Sequence, residues 1–316
     1  MKKRAPHLLA FVLALALALG LGACTGRGNA RATGDPTPAA TGESAVSYPL
    51  TITDSSGAEI IIEREPKTII SAAPGITEII YALGAEDKLV ARTDYCDYPE
   101  EVSGIESIGS ITTPDIERIV EIDPDLVIAS THFGNENAAT LAEMGITVLA
   151  LFEQESLEGS YTIIEKTGQA LNRGVQAAGI IEEMQAVVNE VAASVEGLEA
   201  PSVYYVVGFG EYGDHTAGGD TFIGMIIEMA GGYNIANNVE GWSYNLESLL
   251  EADPAIVIVS TGTKKSFETT VGYSELTAVK EGNIYEIDTN MLDRQGVRNA
   301  QGLKALAEIF HPEVFE

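Results

Sequence analysis

Residues 115–131 read DIERIVEIDPDLVIAST, and residues 245–261 read NLESLLEADPAIVIVST, a shift of 130 positions. Eight of these seventeen positions are identical, whereas chance would give about one. Each copy begins with a helix-capping residue, Asp115 or Asn245, and continues as a short apolar-periodic helix that stops at Asp-Pro. A fully apolar strand follows, which is typical of a parallel sheet covered on both faces. Because the shift is too long for a solenoid period, the repeat predicts an α/β protein with two Rossmann-like lobes.

The pattern outside the repeat predicts how these lobes are connected. Residues 48–155 begin with a predicted hairpin around Ser55-Ser-Gly57. Strand and helix signals then alternate through the rest of this range and through residues 198–316. Residues 156–197 have no strand pattern, and their aliphatic side chains recur at helical spacing with one interruption at Asn172-Arg-Gly174. We therefore expect an N-terminal lobe, a helical connector region and a C-terminal lobe over these three ranges. Tandem lobes of this kind place a ligand cleft between them.

The first 47 residues predict where the protein is located. A basic start, Lys2-Lys3-Arg4, precedes an apolar run over residues 8–21 that is short for a membrane span. The following Leu-Gly-Ala-Cys24 resembles a bacterial lipobox, so residues 1–23 are predicted to be a signal peptide and Cys24 the lipidated residue. Residues 24–47 are rich in small and polar residues and predict a flexible tether. We expect an extracytoplasmic lipoprotein.

Charge and composition exclude several function classes. The formal net charge is −29, and removal of the leader, with its three basic residues and no acid, makes it −32. Such a surface argues against binding to nucleic acid or anionic lipid. After Cys24 only Cys96 remains, so no intrachain disulfide is expected. No nucleophile elbow, phosphate loop, dinucleotide fingerprint or zincin motif occurs, and we expect no catalytic residues. His132 and His215 could act as metal ligands together with Asp288, so a receptor for bare metal ions stays open as an alternative.

Several motifs, taken in order, carry a resemblance to a known family. From Leu50 onward the chain resembles the substrate-binding lipoproteins of ABC importers for metal chelates, which serve cobalamin, ferric siderophores and haem. The matching segments are Ser71-x-x-Pro74-x-x-Thr77-Glu78, Leu83-Gly84-Ala85, Tyr95-Cys-Asp-Tyr-Pro99, the helices carrying Glu117 and Glu247, Asp123-Pro-Asp-Leu-Val-Ile128, Thr216-Ala-Gly218, Ala230-Gly-Gly232, Trp242, Asp293-Arg-Gln-Gly-Val-Arg298 and His311-Pro312.

The resemblance implies partners and docking residues. In the family one exposed glutamate on each lobe meets arginines of the permease dimer, and Glu117 and Glu247 occupy those positions. Two carboxylates related by pseudo-twofold symmetry suit a twofold-related partner. The resemblance therefore implies a monomeric receptor that docks on an ABC permease dimer with a cytoplasmic ATPase and has no intrinsic cofactor or catalytic metal.

The resemblance also implies ligand-contact residues. Tyr95, Phe209 and Trp242 match or lie beside aromatic cleft residues of the cobalamin binders, and a flat macrocycle suits such faces. A corrinoid is the favoured ligand. A ferric siderophore or haem stays open as an alternative. These chelates carry negative charge in many cases, and the cleft then needs cations. Arg294 is the leading candidate for that contact. The further basic candidates are Arg92, Arg298 and the Lys264-Lys265 pair. An extracytoplasmic enzyme or sensor that reuses the fold is the alternative of a different class.

Overall fold

The computed structural model describes residues 46–315. The predicted signal peptide, Cys24 and nearly all of the predicted tether lie outside these residues. The strands are Leu50–Thr53 (β1), Glu59–Ile62 (β2), Ile69–Ser71 (β3), Leu89–Arg92 (β4), Glu106–Ser107 (β5), Leu126–Ala129 (β6), Val148–Ala150 (β7), Ser202–Gly208 (β8), His215–Thr216 (β9), Tyr233–Asn234 (β10), Ile256–Ser260 (β11) and Ile284–Ile287 (β12).

The helices alternate with these strands. They are Pro74–Ala82 (α1), Ile116–Ile122 (α2), Asn135–Glu143 (α3), Leu157–Ala170 (α4), Gly174–Val195 (α5), Phe222–Met229 (α6), Leu246–Ala252 (α7), Lys264–Thr269 (α8), Thr277–Glu281 (α9), Asn290–Asp293 (α10) and Asn299–Phe310 (α11). None of the helices within residues 46–315 is long and apolar enough to span a membrane.

Two separate parallel sheets form the two lobes. The N-terminal sheet has the strand order β5-β4-β3-β6-β7, and every pairing in it is parallel. The C-terminal sheet has the order β10-β8-β11-β12, also parallel, with β9 antiparallel on β8. The hairpin predicted at the start of the folded region is confirmed, because β1 and β2 pair antiparallel. The predicted fold class, two Rossmann-like lobes joined by a helical connector, is therefore present.

The repeated segments supply one central strand to each sheet. Asp115 accepts a hydrogen bond from the Arg118 amide at 2.9 Å, and Asn245 accepts one from the Ser248 amide at 2.8 Å, so both predicted caps are confirmed. Helices α2 and α7 end at aspartates in the left-handed conformation, with φ of 51° and 39°. Proline follows each aspartate and blocks further helix. The chain then enters β6 or β11, each flanked by neighbours on both sides.

Helices α4 and α5 occupy the connector, and they are separated at the predicted interruption. The 22 residues of α5 give it a length of about 33 Å. Its Ala177 and Met184 pack in the apolar core of the N-terminal sheet, whereas Val191 packs in that of the C-terminal sheet. A single helix therefore carries apolar contacts to both lobes. The exact limits of the lobes and the connector region stay predictions.

Candidate functional site

The space between the lobes contains two adjoining cavities. The first, of about 320 Å³, is lined by both lobes, and the second, of about 260 Å³, lies toward the C-terminal lobe. Glu155, Asp293 and Gln295 line both cavities, so the two form one cleft. A larger cavity of about 660 Å³ lies between β2 and α3, but only residues of the N-terminal lobe line it. The interlobe cleft is therefore the candidate site.

A charged cluster beneath the cleft joins the lobes. Glu78 of α1 is only 4% exposed, and its carboxylate accepts hydrogen bonds from Arg298 at 2.7 and 2.8 Å and from Arg294 at 2.9 Å. Arg298 also donates to Asp288 at 2.6 Å, and Arg294 to Asp97 at 2.7 Å. Each of these charges has lost its hydration by burial, so the loss of any one partner would leave a buried charge uncompensated and destabilise the fold.

Backbone packing accompanies this ion network. The loop of residues 293–298 lies against the start of α1 so closely that a Cβ on Gly75 would sit 2.4 Å from the Gln295 carbonyl oxygen. Gln295 also donates through Nε2 to the Gln154 carbonyl at 2.9 Å. The Ser160 hydroxyl donates to Asn299 Oδ1 at 2.8 Å, buried between α4 and α11. The 293–298 loop is thus fixed to the N-terminal lobe while it forms a wall of the cleft.

Tyr95 and Arg294 are brought together at the first cavity. Tyr95 is 58% exposed and lines the cavity with Arg294. The loop that carries it is held from the other lobe, because Arg294 donates to Asp97 and, at 3.4 Å, to the Tyr95 carbonyl. The Arg298 guanidinium lies 4.2 Å from the ring centroid of Tyr98 in the same loop. The hydrogen bond from Arg294 lowers the pKa of Asp97 below its ordinary value.

The other two aromatic candidates occupy different surroundings. Trp242 is 40% exposed and lines the second cavity, where its carbonyl accepts from the Thr216 amide at 2.9 Å. Phe209 is half-buried, and its ring makes edge contacts with Phe267 and Tyr273 at centroid distances of 5.2 and 5.7 Å. Phe209 is not among the residues that line either cleft cavity. The cleft therefore brings Tyr95 and Trp242 to adjoining cavities, and the ligand role of Phe209 stays a prediction.

Four of the five basic candidates donate hydrogen bonds to protein groups. Arg298 is buried on Glu78 and Asp288. Arg92 donates to the Thr93 carbonyl at 2.9 Å, and Lys264 donates to the Ile284 carbonyl at 2.8 Å. Lys265, an exposed residue of α8, lines neither cleft cavity. Arg294 is the one arginine or lysine among the lining residues of the two cavities, and it already has two carboxylate partners.

Two acids remain in the cleft without a cation. Glu155 follows β7 in the N-terminal lobe and is exposed, and Asp293 lies at the end of α10 and is also exposed. Among the ion pairs that the described residues form, neither carboxylate takes part in one. Although the Asp293 residue as a whole is exposed, partial desolvation of its carboxylate by neighbouring groups raises the pKa of Asp293. Among the described lining residues, the aspartate and glutamate carboxylates are unpaired, whereas the arginine is paired.

The docking candidates lie on the surface at equivalent positions. Glu117 and Glu247 are exposed residues in the first turns of α2 and α7. Neither carboxylate has a salt-bridge partner within residues 46–315, whereas the adjacent Arg118 pairs with Glu106 and Glu121. The two copies of the repeat therefore expose matching carboxylates, and their role in docking stays a prediction.

His132, His215 and Cys96 lie at separate places among the described residues. His132 is exposed at the first cavity, and His215 lies on β9 in the C-terminal lobe. Among residues 46–315 no group of three histidine, cysteine or acidic side chains is placed to hold a metal ion. Cys96 is buried, and its sulfur is within 3.0 Å of the Thr77 hydroxyl and 3.2 Å of the Thr93 hydroxyl.

Sequence reasoning does not identify the buried position of Glu78 or the cleft position of Glu155. Glu78 ends the motif Ser71-x-x-Pro74-x-x-Thr77-Glu78, and it lies in the stretch ITEIIYA of α1, where Thr77 and Glu78 interrupt an apolar run. A charged residue on a helix face that must be buried requires a charged partner, so a signal was present although the partner was not identifiable. Glu155 offers no such signal, because an acid in a loop is usually a solvated residue.

Comparisons with known proteins give consistent results. A family model described as periplasmic binding protein matches residues 69–291. The chain is similar to an uncharacterized ABC transporter substrate-binding lipoprotein, YvrC, of Bacillus subtilis, with 31% identity over 277 residues that cover 85% of this chain and 88% of the relative. It is also 30% identical over 285 residues to a cobalamin-binding protein of Halobacterium salinarum, covering 84% of this chain and 75% of that protein.

A solved structure shares the architecture. A periplasmic haem-binding protein from Pseudomonas aeruginosa superposes with a TM-score of 0.70 at 24% identity, covering 79% of this chain and 94% of that one. At this identity the likeness shows the fold alone.

Proposed function

The chain belongs to the periplasmic binding protein family and is a substrate-binding protein of the ABC transporter type, and on this premise we propose that its cleft captures a corrinoid. One observation carries the proposal. Exposed aromatic side chains, Tyr95 and Trp242, line adjoining cavities of a cleft, and Arg294, the one arginine among its described lining residues, is already paired. A large, flat chelate with an uncharged rim fits such a surface better than a polyanion does.

The physical chemistry of the two aromatic residues supports this ligand. Each ring can bury a large apolar area against a macrocycle, and both are exposed in the free protein. They are held on backbone that is anchored by hydrogen bonds, at Tyr95 through Arg294 and at Trp242 through Thr216. Surfaces that are fixed before binding lose less conformational entropy when a ligand binds. The cobalamin-binding relative at 30% identity supports the same ligand class.

The proposal extends to the route of delivery. After capture, the protein presents Glu117 and Glu247 to arginines of an ABC permease dimer, whose cytoplasmic ATPase supplies the energy. Charge pairs at such an interface fix register and accelerate association. Cys24 is the proposed lipid attachment site, and residues 25–47 are the proposed tether that holds the receptor at the outer face of the cytoplasmic membrane. The proposed role requires no chemical conversion of the ligand.

Intrinsic fluorescence tests the ligand directly, because Trp242 is the single tryptophan of the sequence. Cyanocobalamin is titrated into the folded region, and calorimetry gives the affinity independently. Binding should quench or shift the emission. Tyr95→Ala should weaken binding at least about fivefold, because an aromatic face is lost.

Tyr233→Ala is the matched control, since Tyr233 is also exposed but is absent from the lining of both cleft cavities. This control should bind as the unchanged protein does. The corrinoid assignment would be overturned if cyanocobalamin changed neither the emission nor the calorimetric signal while a ferric siderophore or haem changed both.

A further inference from the structure

The charge balance of the cleft restricts the ligand beyond its size and shape. Arg294 is the one fixed cation among the lining residues of the two cavities, and its Nη1 atom lies 2.9 Å from Glu78 and 2.7 Å from Asp97. Its Nη2 atom donates to the Tyr95 carbonyl. Its positive charge is shared between two carboxylates, one of them buried. An anionic ligand at this wall would have to compete with both.

The other two acids of the cleft form no ion pair among the described residues. Glu155 and Asp293 line both cavities, one from each side of the cleft, and neither is in an ion pair among residues 46–315. A ligand that occupies both cavities is therefore close to both carboxylates. Carboxylates accept strong, charge-assisted hydrogen bonds from N–H donors and repel anionic groups that lose their water nearby.

We infer that the cleft selects chelates without ionised acid groups whose rim carries N–H donors, and that Glu155 and Asp293 are the specificity-determining residues. The inference rests on the proposed function, since it concerns the ligand of the same cleft. Primary amides on the periphery of a corrinoid supply such donors, whereas the propionates of haem and the acid groups of many ferric siderophores do not. The two carboxylates accept from the amides of the correct ligand and repel the others.

Asp97 has a separate part in this selection. Its side chain is 62% exposed and shares Nη1 of Arg294 with Glu78. Removal of the Asp97 charge would leave Arg294 with one carboxylate partner and a guanidinium edge open to an anion. Asp97 therefore suppresses the anion binding that a cleft arginine would otherwise provide.

Two probes of nearly equal shape but different charge distinguish the effect of ligand charge from the effect of ligand size. One is cyanocobalamin, and the other is its derivative in which one peripheral amide has been hydrolysed to a carboxylate. Calorimetry should show that the unchanged protein binds the acid about tenfold more weakly, because like charges in a partly desolvated cleft repel. In the double variant Glu155→Gln, Asp293→Asn the ratio of the two affinities should fall to about threefold or less. Asp97→Asn should strengthen binding of the carboxylate derivative more than binding of cyanocobalamin.

Glu158→Gln is the control, because Glu158 is an exposed acid near Glu155 in sequence but lines neither cavity. It should leave the ratio unchanged, and thermal unfolding verifies that every variant folds. Equal binding of both probes by the unchanged protein would overturn the inference while leaving the proposed function intact. The inference would also be overturned if the double variant left the ratio of the two affinities unchanged. Binding of neither probe would overturn the proposed function itself.

Discussion

At the scale of single residues, Glu78 connects the two lobes through buried, charged hydrogen bonds. It is buried in α1 and receives hydrogen bonds from arginines 216 and 220 positions away in sequence. These bonds cross from one lobe to the other and fix the loop that forms the cleft wall. The carboxylate therefore contributes to stability and to the position of ligand-contact residues at the same time.

Glu78→Gln should lower the free energy of unfolding by about 3 kcal/mol, because removal of one partner leaves buried charge uncompensated. Glutamine keeps the volume of the side chain, so the effect reports charge rather than packing. Urea unfolding followed by circular dichroism measures it. A loss below about 1 kcal/mol would mean that Asp97 and Asp288 are sufficient partners for the two arginines.

Asp97 should make the stability depend on acid pH. The hydrogen bond from Arg294 lowers the pKa of Asp97 below its ordinary value of 3.8. The stabilisation is therefore complete above pH 3.8 and is lost as the pH falls through the lower folded-state pKa. Because the carboxylate is largely exposed, the contribution is at most about 1 kcal/mol.

Asp97→Asn removes that contribution, and unfolding curves at several pH values measure it. The variant should be slightly less stable than the unchanged protein at pH 7, and the difference should shrink as the pH falls below 3.8. A difference that does not shrink on acidification would show that the carboxylate acts through something other than its charge.

At the scale of elements, the approach of α1 to the 293–298 loop sets the distance between the lobes. Gly75 lies in the first turn of α1, where a methyl group would meet the Gln295 carbonyl oxygen at 2.4 Å. A carbonyl that belongs to a loop held by hydrogen bonds cannot move without its neighbours. The absence of a side chain at this position is therefore a requirement of the interlobe contact.

Gly75→Ala should cost about 1–3 kcal/mol of unfolding free energy, because the helix and the loop must separate. Ligand affinity should fall with it, since the same loop lines the cleft. Gly179→Ala is the control, because Gly179 lies in α5 with no atom within 4 Å of the added Cβ. That change should instead stabilise the protein by about 0.5–1 kcal/mol. Equal stabilities of the two variants in urea would contradict the interpretation.

At the scale of the whole molecule, α5 connects the apolar cores of both lobes. Its contacts with both cores oppose a large change in the angle between the lobes, and the buried ion network of Glu78 opposes separation at the cleft. The matching glutamates of α2 and α7 are therefore held in a nearly constant relative position. A receptor of this kind can present two fixed points to a permease dimer.

Replacing Glu117 and Glu247 together with alanine should reduce uptake of the ligand in cells at least about tenfold, because both proposed docking charges are lost. Affinity for the ligand should not change, since both residues are outside the cleft. Each substitution should cost at most about 1 kcal/mol of stability, from the helix dipole. Glu121→Ala with Glu251→Ala is the control, because these acids also repeat on the same helices. Unchanged uptake by the Glu117, Glu247 variant would eliminate the docking role.

Much of the fold could be predicted from sequence because its signals are local. The caps Asp115 and Asn245, the Asp-Pro stops and the apolar strands all lie within seventeen-residue segments, and helix and strand periodicities are readable over such lengths. Periodicity cannot reveal two-residue strands such as β5, β9 and β10, because they contain too few residues for a period. The aromatic candidates came from the family resemblance, and the structure brings two of the three to the cleft.

The sequence by itself determined the repeat, the two parallel sheets, the helical connector and the matched surface glutamates, because capping, periodicity and internal similarity need no knowledge of distant neighbours. Only the tertiary structure decided which charges of the cleft are free. In the sequence Arg294 is an available cation, but folding pairs it with Glu78 and Asp97. Glu155 and Asp293, in contrast, form no ion pair within residues 46–315. The physical reason is that the effective charge of a side chain depends on its partners, and here those partners lie on the opposite lobe.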